Sequence, residues 1–162
     1  MLNKILSTHP LLRKLSPDTQ SLLHDCAIEV SIKKNELLLK TGENADRFFL
    51  VQHGSVALQI YDPSIGSIEF MTIQENDVVG WSWMFPPCRW HFDAMAKEDI
   101  EAVQVDGVQL LLRCESDYKI GYQLMSCFSQ IMMERLVAAR LQLLDLYGDR
   151  SPEATERGKT RE

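Results

Sequence analysis

Arg89 is the residue of this chain whose type and setting most directly suggest chemistry. It stands in the stretch Val78 to Ala96, which also holds all three tryptophans and the adjacent pair Pro86-Pro87. A guanidinium is a planar fork that can pair with a phosphate or a carboxylate. Val78-Val79 followed by Gly80 reads as a strand running into a turn. Ser82 is then placed to cap one helical turn, Trp83-Met84-Phe85, which the prolines stop. The start of such a turn leaves backbone N–H groups without intrahelical partners, a natural seat for an anion. Gly80, Trp81, Ser82, Trp83, Met84, Arg89 and Trp90 are therefore the candidate ligand-binding residues. Asp93 is expected to pair with Arg89, and His91 to be a strand residue or a neighbour of the loop. The same residues also read as a Trp-rich apolar plug with an arginine on its surface.

Other chemistry finds little support. A metal enzyme on a β-barrel scaffold needs two or three histidines and a carboxylate from neighbouring strands. His53 and His91 with Glu43 or Asp93 are the best available set, and His9 and His24 lie outside the strands. No Ser–His–Asp or Cys–His arrangement can be assembled. No catalytic residue and no metal ligand is assigned, and the chain does not read as an enzyme. Cys26, Cys88, Cys114 and Cys127 are far apart and form no C-x-x-C pair. They are expected to be reduced thiols, not disulfides or cluster ligands. Cys88, beside the candidate site, is the one most open to oxidation.

The chain has 162 residues and a formal net charge of −6. Its few basic residues are scattered, which argues against a nucleic-acid-binding face while leaving room for one small basic site. No segment has the apolar core of a signal peptide, and none approaches the ~20 apolar residues of a membrane span. The expectation is a cytoplasmic protein with one domain and a short appendage.

The loop must be positioned by the elements around it. Residues 1–25 read as short helices, with Ser16 capping the second and Pro17 at its first position. Leu22 and Leu23 face inward, and His24 is a partly buried helix-end residue. From Cys26 the apolar period changes from helical to two. Ile28, Val30 and Ile32 alternate with polar residues as in a half-buried strand. Residues 26–105 hold about eight short strands with regularly spaced turn signals, the pattern of a closed or two-layer antiparallel β structure. Residues 106–148 are helical. Asp106 caps a short helix carrying Val108, Leu111 and Leu112, and Glu115-Ser116-Asp117 opens a long helix that ends at Gly148. Met125, Ser129, Met132, Leu136, Ala139, Leu143 and Leu146 form a coiled-coil seam on that helix. Leu124, Phe128 and Ile131 form a second apolar face. A homodimer through residues 117–147 is the expectation. Residues 149–162 are charged, lack large apolar groups and are expected to be a disordered tail.

Over residues 10–147 the chain resembles a cyclic nucleotide-binding domain of the Crp/Fnr effector type. The resemblance is carried by Gly42-Glu43-Asn44-Ala45-Asp46-Arg47-Phe48-Phe49-Leu50-Val51, by Gly54-Ser55-Val56, by Val79-Gly80 with Arg89, and by the long helix. It implies an antiparallel, jelly-roll-like β-roll with short N-terminal helices and a long C-terminal dimerisation helix. It also implies a phosphate-binding cassette that opens at Gly80, with Arg89 on the cyclic phosphate. The family's usual glutamate for the ribose hydroxyl is replaced by Trp81, and its small residue after the arginine by Trp90. A lost hydrogen bond to a buried hydroxyl costs about 1–3 kcal/mol. The usual pose of cAMP or cGMP is thus disfavoured, and Trp81 or Trp90 is offered as a stacking surface. Only a short polar stretch follows the long helix, so no DNA-reading domain and no direct DNA binding are expected.

Two functions follow from this reading. One is a regulatory sensor that binds a small anionic ligand, cAMP or cGMP first, and signals through its long helix to a partner protein. The other is a ligand-free dimeric scaffold whose pocket is filled by tryptophan.

Overall fold

The computed structural model describes residues 2–148; the stretch expected to be a disordered tail lies outside the described residues. The chain begins with α1 (Leu2–Thr8), a single 3-10 turn (Leu12–Lys14) and α2 (Pro17–Asp25). Pro17 opens α2 with its fixed φ, and the Ser16 side chain accepts from the Thr19 N–H. Leu22 and Leu23 are buried as expected, whereas His24 is exposed.

Eight strands follow: β1 (Ala27–Ile32), β2 (Leu37–Leu39), β3 (Arg47–His53), β4 (Val56–Asp62), β5 (Gly66–Ile73), β6 (Val78–Val79), β7 (Asp93–Ala96) and β8 (Ile100–Asp106). They form two antiparallel four-stranded sheets, in the orders β1-β8-β3-β6 and β2-β7-β4-β5. Residues near in sequence are split between the sheets, so β6 and β7, which flank the tryptophan-rich loop, lie in different layers. The core is set by strands buried on every side. Phe48, Phe49, Leu50 and Val51 of β3 and Val103 and Val105 of β8 are almost wholly hidden. That accounts for the continuous apolar run in β3, where alternation would mark a half-solvated strand. The alternation read in β1 is only partly realised, because Ile28 is exposed on this sheet-end strand.

Asp106 ends β8 and caps α3 (Gly107–Ser116) by accepting from the Gln109 N–H at 3.0 Å. The buried residues of α3 are Gly107 and Leu110; Val108 and Leu112, expected to carry its packing, are exposed. Asp117 accepts from the Lys119 N–H and starts α4 (Tyr118–Gly148). The chain divides into two compact bodies, one up to Cys127 and one from Phe128 onward. In the first, Leu124 and Cys127 of α4 are buried, and burial pushes the Cys127 thiol up to about 11. All four cysteines are free thiols. In the second, Phe128 and Ile131 are buried, whereas Leu136, Leu143 and Leu146 of the expected seam are exposed. Among the described residues, no helix is long and apolar enough to cross a membrane.

Candidate anion-binding site

The loop between β6 and β7 is built on glycine. Val78 and Val79 pair with Leu50 and Phe49 of β3, and Gly80 then turns the chain with φ +93°. An L-residue is strained at that angle, and the space is taken too: a Cβ on Gly80 would stand 3.0 Å from Cζ3 of Trp90. Trp81, half-buried, precedes a single 3-10 turn, Ser82–Met84. The turn begins one residue earlier than expected. Ser82 is its first residue and Trp81 takes the cap position, with no side-chain cap bond. The Met84 N–H donates to the Trp81 carbonyl and the Phe85 N–H to the Ser82 carbonyl. Those two amides are therefore engaged within the turn.

Ser82, Trp83 and Met84 are buried. The Trp83 indole stacks on Phe48, with ring centroids 5.5 Å apart and an interplanar angle of 17°. Its ring also presses on Gly107, where an added Cβ would come within 2.8 Å. Gly107 and Phe48 thus complete the seat of Trp83. Gly107 was not singled out from the sequence and Phe48 only as part of the run that carries the resemblance, although a glycine directly after a capping aspartate is the mark such a close approach would leave.

After Pro87 the chain runs antiparallel to the loop between β2 and β3. The Ala45 N–H donates to the Cys88 carbonyl at 2.8 Å, the Trp90 N–H to the Glu43 carbonyl at 3.1 Å, and the Gly42 N–H to the Trp90 carbonyl at 2.9 Å. Arg89 and Asn44 are directly opposed in this short ladder. Opposed residues share a face and successive residues alternate. Arg89 and Asn44 are accordingly both exposed, while Trp90 and Ala45 retain only 3% and 5% of their surfaces. The Arg89 Nη1 donates to the Gly42 carbonyl at 3.1 Å. Among the described residues, no carboxylate pairs with Arg89. Asp93, expected to do so, instead accepts from the Thr41 N–H at 2.7 Å, because the same ladder brings Thr41 beside it.

The seven candidate residues therefore separate. Ser82, Trp83, Met84 and Trp90 lie inside, Gly80 and Trp81 lie at the turn, and Arg89 lies outside on the Asn44 face. A further apolar surface stands nearby in the β2-β7-β4-β5 sheet. Ile60 and Ile68 are cross-strand partners with 52% and 41% of their surfaces exposed. Phe70 meets Phe92 edge-on at 5.8 Å. His53 is placed with neither His91 nor Asp93; its Nδ1 is 2.7 Å from Glu75 Oε1. That pair borders a hollow of about 470 Å³ that includes Lys4, Gln52 and Glu101 and none of the loop residues.

Sequence comparison matches the family model for the cyclic nucleotide-binding domain to residues 29–117, more than half of the chain and all of the site just described. The chain belongs to the cyclic nucleotide-binding domain family. Solved structures similar to this cyclic nucleotide-binding domain show the same fold. A putative cyclic nucleotide-binding protein from Geobacter metallireducens is 20% identical, with a TM-score of 0.73 over 82% of this chain and 96% of that one. The sensor domain of the transcriptional regulator DNR from Pseudomonas aeruginosa is 18% identical, with a TM-score of 0.67 over 83% and 90%. The regulatory domain of Toxoplasma gondii PKA, solved with cAMP, is 13% identical, with a TM-score of 0.61 over 68% and 42%. The β-roll, the flanking helices and the long terminal helix are thus the family's architecture.

Proposed function

We propose that this domain is a non-enzymatic regulatory module that takes a small anionic ligand at Arg89 and passes the signal along α4. The observation that carries the reading is the state of that guanidinium. It is exposed, it holds one backbone carbonyl, and no carboxylate among the described residues neutralises it. A charge held in that way is available to a phosphate. A cyclic nucleotide, cAMP or cGMP, is the first candidate, since the chain belongs to the cyclic nucleotide-binding domain family and one similar domain was solved with cAMP. Because Met84 and Phe85 use their N–H groups inside the turn, the anion depends on Arg89 more than on the turn. Trp81, half-buried beside Gly80, is the surface on which a base would stack. The module acts in the cytoplasm as a homodimer through residues 117–147 and hands its signal to a partner protein.

A second reading, a ligand-free dimeric scaffold, is favoured by one observation. Trp90 lies inside the roll against Gly80, so an indole fills interior space beside the turn that a ligand would otherwise need. Calorimetry with cAMP, cGMP and cyclic dinucleotides separates the two. The sensor reading expects binding by at least one of them, weakened at least tenfold in Arg89→Ala without a change in the unliganded melting temperature. No heat from any of these ligands would leave the scaffold reading in its place.

A further inference from the structure

The short ladder that turns Arg89 outward brings a second side chain to the same place. The Ala45 N–H donates to the Cys88 carbonyl and the Trp90 N–H to the Glu43 carbonyl, so these bonds flank Asn44 and Arg89 without joining them. Opposed residues of that kind hold their side chains closest, with Cβ atoms about 4.5–5.5 Å apart on one face. Asn44 is exposed, and its side-chain amide makes no hydrogen bond among the described residues. The Gly42 carbonyl takes one N–H of the Arg89 guanidinium at 3.1 Å, which leaves the other donors of the fork for a ligand. A Cβ on Gly42 would meet nothing within 4 Å, so the approach over that anchor is open. Asp46, two residues beyond Asn44, is held by Arg47 at 2.8 Å.

A guanidinium alone attracts any anion. A neutral amide beside it adds N–H donors without adding charge. We infer that Asn44 is a second ligand contact of the anion site, donating its side-chain N–H to the phosphate that Arg89 holds. Its lack of charge also keeps the guanidinium available. An aspartate at this position would engage Arg89 across the ladder and repel the phosphate. The inference rests on the reading that Arg89 takes an anionic ligand. It specifies the group that the ligand presents: a phosphate with two oxygens free, one for each side chain, as in a cyclic phosphodiester.

The test is calorimetry with cAMP, cGMP and cyclic dinucleotides on the full chain and on its Asn44→Ala, Asn44→Asp and Asn44→Lys variants. Affinity for whichever of these ligands binds should follow the charge at position 44. Asn44→Ala should weaken binding about five- to tenfold, the loss of one hydrogen bond to a charged group. Asn44→Asp should weaken it at least about thirtyfold. Asn44→Lys should keep the original affinity or exceed it. Because the side chain is exposed, the unliganded melting temperature should move by no more than about 3 °C in any of the three. Binding that is weakened by Arg89→Ala but unchanged in Asn44→Ala and Asn44→Asp would overturn this inference and leave the Arg89 site standing. Equal losses in all three variants, or losses that track a lowered melting temperature, would assign Asn44 to the fold of the loop and overturn it as well. No heat from any of the ligands would overturn both the Arg89 site and this contact.

Discussion

The loop from Gly80 to Phe92 and the last turns of α4 are both rich in large apolar side chains, yet they end in opposite states. In the loop, Trp83 and Trp90 keep 3% of their surfaces each; on the helix, Leu144 keeps 64%. The loop finds its partners within the chain because two glycines give up the volume of a methyl group where an indole must lie. The helix presents its leucines outward at regular spacing, with Arg140 among them. Apolar content alone therefore does not say whether a segment is core or interface. What decides is whether some other part of the chain has been cut back to receive it.

Substitutions can break this contrast from either side. The largest effect is expected from Trp90→Ala, which empties the space beside Gly80 and Leu39 and should lower unfolding free energy by about 3–5 kcal/mol in urea titration. Gly107→Ala should cost about 1–3 kcal/mol by the same measurement, since the new methyl group meets Trp83 at 2.8 Å and the buried indole is also stacked on Phe48. Leu144→Lys should change the stability of the isolated domain by no more than about 0.5 kcal/mol, since its side chain is already largely solvated. If Leu144→Lys proved as damaging as Trp90→Ala, the helix face would belong to a core and the contrast would fail.

Much of the architecture was legible in residue pattern. The change from helical to two-residue period at Cys26, the caps at Ser16 and Asp106, and the glycine turns all predict the elements observed. The strand end at Gly80 and the short turn after it were legible, but the direction of the loop's side chains was not. Which of Arg89 and Trp90 faces inward depends on the ladder with Gly42 to Ala45, a register set by backbone bonds between segments some 45 residues apart. No local signal carries that information, because a one-residue slip exchanges the two faces. For the same reason the pairing of Asp93 with the Thr41 N–H in place of Arg89 was out of reach. The start of the 3-10 turn failed more locally: Trp81 took the cap position that the serine was expected to fill.

The bare α-carbon of Gly107 lets the first turn of α3 close directly onto the Trp83 indole, and the same ring stacks on Phe48 of β3. Because that indole belongs to the turn Ser82–Met84, the loop, β3 and the base of α3 all meet on one side chain.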